Sequence, residues 1–288
     1  MKKIGLLTSS HFPDLIPDER PLIEEFKRNR FKVEPLIWDA KHNWDEYDHL
    51  IIRNTWDYFS KYEKFLRTLK DIQDSQSLLL NPYETMLWNL DKTYMEELML
   101  SGVPTIPTFK ISHFNEERLH EILMLLKTDE FVIKPVVGAS GHDTYKKSVS
   151  MSTEEKAFLI ERLGGRDIII QPFMPSVQTD GEYSFVFFNQ KFSHAVKKIP
   201  KTGEFRIQEE HGGRAEAYRP HHREVEEIIP LLKAVKHEHF YARVDVVKDQ
   251  KGKYVIMEVE LVEPQLFFTW GSNSASLFVT EFVKTYGR

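Results

Sequence analysis

The chain contains no cysteine, which excludes disulfide frameworks, thiolate zinc sites and a cysteine nucleophile. It has no apolar run approaching the ~20 residues that a membrane-spanning helix needs, and the opening MKKIGLLTSSHFPD turns polar too soon for a secretory leader. An excess of positive charge is also missing: 39 Lys and Arg against 44 Asp and Glu give a formal net charge of −5. Binding to nucleic acid by bulk charge needs a clustered positive surface and is not expected. What remains is the mixture of a globular chain, 41% apolar and 29% charged over 288 residues. That length suits about two domains at ~150 residues each. A soluble, cytoplasmic protein with neither membrane nor nucleic acid as partner is the expectation.

The first ninety residues alternate strand and helix patterns. Lys3–Thr8, Val33–Trp38, Leu50–Ile52 and Leu78–Leu80 read as strands, with a helix over Asp18–Asn29. Phe59, Tyr62, Phe65, Leu66 and Leu69 fall on one face of a second helix. Single helices between strands imply a parallel α/β sheet, whose ligand site lies at the carboxyl ends of its strands. Beyond residue 90 the pattern changes. Asp91–Ser101, a segment near Glu116–Leu126 and Ser152–Leu163 read as helices, while Phe131–Lys134 and Ile168–Gln171 read as strands. Two hairpins follow, Tyr183–Phe188 with Lys191–Lys198 and Ala242–Lys248 with Lys253–Leu261. This part reads as α+β.

Four segments carry residues suited to chemistry. In VIKPVVGASGHDT, Lys134 ends a strand and Gly138, Ala139, Ser140 and Gly141 form a small-residue loop. Such a loop lets backbone N–H groups approach phosphate beside a lysine, although a plain hairpin loop has the same composition. Asp245, Glu258 and Glu260 share a strand face if the second hairpin turns through two or four residues. Three carboxylates amid apolar neighbours repel one another unless a cation or a proton intervenes, and all-oxygen donors favour magnesium. The alternative is a solvated face with Arg243 as counter-ion. GEFRIQEEHGGR, Gly203 to Arg214, sets Arg206 in a glycine-containing segment suited to a forked anion contact or to a charged surface loop. Finally, IIRNTWDYF places Arg53 and Asp57 at the end of a parallel strand, with Asp57 also suited to capping the next helix. The twelve histidines show no metal-ligand spacing.

Read in order, these segments resemble the ATP-grasp superfamily over nearly the whole chain. The order is NLDK with Lys92, VIKP with Lys134, the loop Gly138–Gly141, IIIQPF as an adenine hinge (Gln171, Pro172, Phe173), GEYS with Glu182, then Arg206, then Asp245, Glu258 and Glu260. The resemblance implies an amino-terminal α/β substrate domain over 1–90, a central lid over 91–175 and a carboxy-terminal antiparallel-sheet domain over 176–288. It also implies ATP and magnesium as cofactors. Lys92, Lys134, Gly138, Ser140 and Gly141 would then meet phosphates, Gln171, Pro172 and Phe173 the adenine, and Glu182 the ribose. Asp245, Glu258 and Glu260 would hold the metal, and Arg206 with Lys134 would serve the transferring group. There are two departures: Glu260 stands where the family usually has asparagine, and Gln171 where it commonly has glutamate. QPF…GEYSFVFF…FSHAVKK…VELVEP looks most like the branch that closes O-ureido-D-serine into D-cycloserine.

The activity so implied is ATP-dependent carbon–nitrogen ligation through an acyl phosphate, with an amino-acid-like small molecule as substrate and a homodimer as the assembly. Ser9, Arg53, Asp57, His211 and Gly212 stand in loops expected against that substrate, as does the segment Glu263–Gln265. Two other readings use the same residues. A magnesium-dependent phosphatase or nuclease would need neither Lys92 nor the hinge, and a non-catalytic regulator would bind ATP without cleaving it.

Overall fold

The computed structural model describes residues 1–207 and 211–287. The amino-terminal unit is a parallel sheet of β1 (Lys3–Thr8), β2 (Lys32–Ile37), β3 (His49–Asn54) and β4 (Leu78–Leu80), ordered β2-β1-β3-β4. Helices α1 (Arg20–Arg28) and α2 (Tyr62–Gln73) make the crossovers, and α2 buries Phe65, Leu69 and Ile72 as its periodicity predicts. At Gly5 in β1 a Cβ would lie 2.5 Å from a terminal methyl of Leu36 and 2.6 Å from one of Leu50, so a larger residue there would force those side chains to shift.

Helices α3 (Tyr83–Leu90) and α4 (Tyr94–Leu100) follow. The helix expected from Asp91 starts only at Tyr94, because the Asp91 carboxylate accepts from the Thr93 N–H and turns the chain. A second, antiparallel sheet then forms from β5 (Phe109–Ile111), β6 (Glu130–Pro135), β7 (Tyr145–Ser148) and β8 (Ile168–Pro172), ordered β5-β8-β6-β7. Helices α5 (Glu116–Leu125) and α6 (Thr153–Leu163) cover it, the latter started by a Ser152–Glu155 capping box.

The third sheet contains β9 (Glu182–Phe188), β10 (Lys191–Ile199), β11 (Arg214–Tyr218), β12 (Tyr241–Lys248) and β13 (Tyr254–Glu260), ordered β11-β10-β9-β12-β13 and antiparallel throughout. The short helix α7 (Ser176–Thr179) precedes it, α8 (His222–Lys233) lies between β11 and β12, and α9 (Ser274–Tyr286) ends the description. Asn189 and Gln190, both in the left-handed region, make the tight β9–β10 turn. The second hairpin differs from its expected register. Lys248 pairs with Tyr254, not with residue 253, which alone would send Glu258 and Glu260 to the opposite face from Asp245. A bulge between Asp245 and Val246 inserts Met257 and restores the phase, so Asp245 faces Glu258 and Arg243 faces Glu260.

One face of this sheet is apolar, with Phe185, Phe187, Val244 and Val246 packed with Ile228 and Leu232 of α8 and Tyr94 and Leu98 of α4. Around the other end, α9 joins the first and third sheets through Phe278 and Phe282 against Phe26 of α1. Arg53 ties the same two units. Its side chain is 0% exposed, pairs with the equally buried Glu19 at 2.6 Å and donates to the Pro264 carbonyl at 2.9 Å. No helix among the described residues is long and apolar enough to cross a membrane.

Arg53→Met leaves Glu19 as a lone buried charge and is expected to cost about 3–5 kcal/mol of unfolding free energy, with Glu19→Leu added in the same chain recovering part of it. Chemical denaturation checks this; a single variant within ~0.5 kcal/mol of wild type, the ordinary range for a surface substitution, would contradict the clamp.

Candidate active site

The three sheets surround one cavity of about 570 Å³. Its floor is the polar face of the third sheet, where side-chain alternation and the Met257 bulge present Glu182, Ser184, Asp245, Arg243, Glu258 and Glu260 together. Lys198, opposite Glu182 on β10, joins them. The bulge lets Met257 and Glu258 line the same cavity although they are consecutive.

Each floor carboxylate has a cation within reach. Lys198 bridges Glu182 at 2.6 Å and Asp245 at 2.9 Å. Arg243 grips both Asp245 oxygens and reaches Glu260. Lys92 pairs with Glu258 at 3.2 Å. Burial pulls the Asp245 carboxyl upward, yet Arg243 and Lys198 hold it well below the usual carboxylate range. Glu258 is lowered against its burial by Lys92 and Lys134. Glu260 goes the other way: burial, then the charges of Asp245 and Glu258, push it up to about 7 despite Arg243. With Ser184 also donating to Asp245 at 2.6 Å, both oxygens of that carboxylate are engaged.

Above the floor, Lys92 donates to the Gly138 carbonyl at 2.8 Å and so anchors the glycine-containing loop. Ser140 and Gly141 turn through the left-handed region, and the His142 ring lies 4.8 Å from Phe59 of the first unit. Lys134 lines the cavity with an ammonium that has no hydrogen bond or ion pair to any described residue, pushed down by burial and held up by Glu258. At the far end Ile106, Val132, Val177, Met257 and Phe173 form an apolar slot. The Gln171 amide N–H donates to Thr108 there at 2.9 Å, leaving its oxygen to accept. Arg206 also lines the cavity, paired with Glu204 at 2.8 Å; residues 208–210 of its segment lie outside the described residues.

Every residue expected at nucleotide, metal or catalytic positions therefore lines this one cavity. The five expected at the substrate do not. Arg53 is consumed by Glu19 and Pro264. The Asp57 carboxylate accepts from Trp38 Nε1 at 2.8 Å and from Lys61, and caps nothing. Ser9 is buried in a turn closed by its carbonyl and Phe12 N–H. His211 and Gly212 sit outside the wall, with Gly212 against the Lys201 stem. In their place the wall holds Asp18, Trp56, Tyr58, Glu263, Gln265 and Phe267. Of these, the sequence pointed to the segment Glu263–Gln265 and to the stretch Ile51–Phe59 that carries Trp56 and Tyr58, though through Arg53 and Asp57 and not through the aromatic residues. Arg243 was legible too, as a charge alternating onto the face that carries Asp245, whereas Lys198 comes opposite Glu182 only through a register shift between Phe192 and His194.

A model of the prokaryotic glutathione synthetase ATP-grasp domain matches residues 97–267, more than half of the chain. The chain belongs to the ATP-grasp family. It is an ATP-dependent ligase of the carbon–nitrogen-bond-forming kind. Residues 4–81 match a second model, the N-terminal domain of D-cycloserine synthetase DcsG. This ATP-grasp ligase is 26% identical to the cycloserine biosynthesis protein DcsG of Streptomyces lavendulae, over 96% of each chain. The crystal structure of D-cycloserine synthetase DcsG superposes with a TM-score of 0.87 at 24% identity, covering 98% of this chain and 99% of that one. D-alanine–D-alanine ligase from Bacillus anthracis has the same fold, with a TM-score of 0.68 at 14% identity over 99% and 97% of the two chains.

The cavity also shapes the pH dependence of stability. Glu263 is pushed up to about 8 by burial and by Glu260. Above the histidine range, between pH 6.5 and 8, the folded chain then retains a proton that the unfolded chain has released, so stability falls as pH rises. Denaturation in chelator without nucleotide should show that fall, and Glu263→Gln should make it shallower; parallel slopes would contradict the assignment.

Proposed function

We propose that this ligase activates the carboxylate of an amino-acid-like acid as an acyl phosphate and closes a ring onto it with a nitrogen of the same molecule, as in an O-ureido-D-serine cyclo-ligase. The observation that carries the nucleotide half is Lys134, a half-buried ammonium with no partner among the described residues, on the wall between an apolar slot and a set of paired carboxylates. An unpaired cation of this kind suits a phosphate. The cyclising half is supported by similarity to DcsG that extends over both the amino-terminal unit and the ATP-grasp region.

In this reading adenine enters the slot and accepts or donates at Gln171, while Glu182 takes a ribose hydroxyl. Lys92, Lys134 and the N–H groups of the loop around Gly138–Gly141 cradle the phosphates. Among the described residues no three carboxylate or imidazole groups converge to cage an ion alone. Magnesium does not need such a cage, since it takes one or two carboxylates with substrate phosphates and water. Glu258 and Glu260 are the donors that fit, being oxygen-only, two apart on β13 and half-buried. Asp245 is the less available donor because both its oxygens are engaged. Magnesium held there would neutralise and orient the triphosphate.

A carboxylate oxygen of the acid attacks the γ-phosphorus and the bond to ADP breaks. The nitrogen then attacks the carbonyl carbon, phosphate leaves with the carboxylate oxygen, and the nitrogen loses its proton. With O-ureido-D-serine that nitrogen also carries a carbamoyl group, which water must remove as carbamate to give the free ring. The chain's task is positioning and charge compensation. Arg206 would leave Glu204 to meet the transferring group, and the loop over Gly138–Asp143 would keep water from the acyl phosphate.

Release of ADP and phosphate from magnesium-ATP, measured against amino acids, dipeptides and O-ureido-D-serine with mass detection of product, tests the proposal. Turnover of one amino-acid-like acid without an added amine supports it. Turnover only with an acid and an amine together would make this an intermolecular ligase. Lys134→Met should lower turnover by ~10²–10³-fold with the fold intact, the scale of losing one charge-stabilising donor; near-normal turnover would contradict its placement at the phosphates. Arg206→Ala should depress kcat far more than ATP affinity, and equal losses would give it a ground-state role instead.

A further inference from the structure

The segment after β13 alternates presented and held residues. Glu263, Gln265 and the mostly buried Phe267 line the cavity, while Pro264 and Leu266 between them and Phe268 after them are buried away from it. The backbone is clamped along its length. Trp56 Nε1 donates to the Glu263 carbonyl at 2.9 Å, Arg53 to that of Pro264 at 2.9 Å, Arg243 to that of Gln265 at 3.1 Å and the His194 ring to that of Leu266 at 3.0 Å. Asp18 accepts from the N–H groups of Phe268 at 3.1 Å and Thr269 at 3.0 Å. Phe267 is kept at φ 50°, an uncommon conformation for a bulky side chain. Five side chains from distant parts of the chain fix this short stretch, which makes it a built wall.

Glu263 stands apart from the other cavity carboxylates. Glu182, Asp245, Glu258 and Glu260 each have a lysine or arginine, and Asp18 has two backbone N–H groups. The Glu263 carboxylate makes no ion pair or hydrogen bond with any other described residue, and the charges that act on it are those of Glu260 and Glu258 with Lys92 set against them. A half-buried carboxylate that faces open space with no hydrogen-bonded cation of its own has room for a positive group from outside the protein. Trp56, Tyr58 and Phe267 on the same wall add aromatic surface of the kind that accommodates an ammonium.

We propose that Glu263 binds the α-ammonium of the acid and selects amino acids over acids that lack the group. Held as an ammonium, that nitrogen has no lone pair, which leaves ring closure to the other nitrogen of the molecule. This assignment rests on the ligase reading above.

The test is ADP release at saturating magnesium-ATP by wild type, Glu263→Asp and Glu263→Gln. The probes are the panel acid that is turned over, O-ureido-D-serine on the reading above, and the same acid without its α-amino group. Losing one buried charge-assisted contact corresponds to about 10–100-fold. Glu263→Gln should raise the KM of the amino acid by that factor, leave the KM of ATP within about twofold, and lower kcat by no more than about threefold. Deleting the amino group should cost wild type the same factor and the Gln variant almost nothing, with Glu263→Asp in between. An unchanged KM, a full penalty for the missing amino group in the Gln variant, or a loss confined to kcat or to the magnesium requirement would overturn the assignment. Wild type that releases no ADP with any acid would overturn the ligase reading and this inference with it, whereas wild-type turnover with an unaltered Gln variant would overturn this inference alone.

Discussion

Four carboxylates on one face of one sheet can stay ionised out of bulk water only while cations reach them, and the rest of the site follows from how those cations arrive. Lys198 comes from the neighbouring strand, Arg243 from between Asp245 and Glu260, and Lys92 from the connection before α4. Each pair costs desolvation that its attraction must offset, so the arrangement adds little to stability and much to placement. The opposite face of the same sheet, packed with Phe185, Phe187 and Val244, supplies the burial that holds the strands in register. Glu182 and Glu260 are the members least well compensated, their carboxyls rising to about 8 and about 7 through burial, while Asp245 two strand positions from Arg243 stays ionised. A second cation has most to offer there.

Two devices bring the remaining parts to that floor. The Met257 bulge turns one strand so that an apolar residue for the slot and a carboxylate for the charged half face the same space. The Glu19–Arg53 pair and Asp18 then lock the segment 263–269 against the first sheet. The amino-terminal unit thus holds another segment of the site in place and adds Phe12, Ile16, Pro17, Asp18, Trp56 and Tyr58 as its own cavity residues.

This division explains what the sequence disclosed. Lys92, Lys134, the loop around Gly138–Gly141 and Gln171–Phe173 lie in short motifs whose chemistry depends on neighbours within a few residues, and all reach the cavity. The parallel sheet and both hairpins were legible from alternation and apolar runs. Arg53 was misleading because its partner, Glu19, is 34 positions away and nothing local marks a buried ion pair. The hairpin parity came out right through a bulge that alternation does not reveal. Strands β5 and β7, of three and four residues, were too short for a period to show. The wall at Trp56, Tyr58 and Phe267 is assembled from segments far apart in the chain, so only the fold brings it together.

The most direct measurement of the central claim follows an oxygen atom. With the carboxylate of the turned-over acid labelled with oxygen-18, an acyl phosphate passes one labelled oxygen to the inorganic phosphate when nitrogen displaces it. Mass analysis of the phosphate should find one label per turnover. Unlabelled phosphate alongside full product formation would contradict acyl-phosphate activation and the roles given to Lys134 and Arg206.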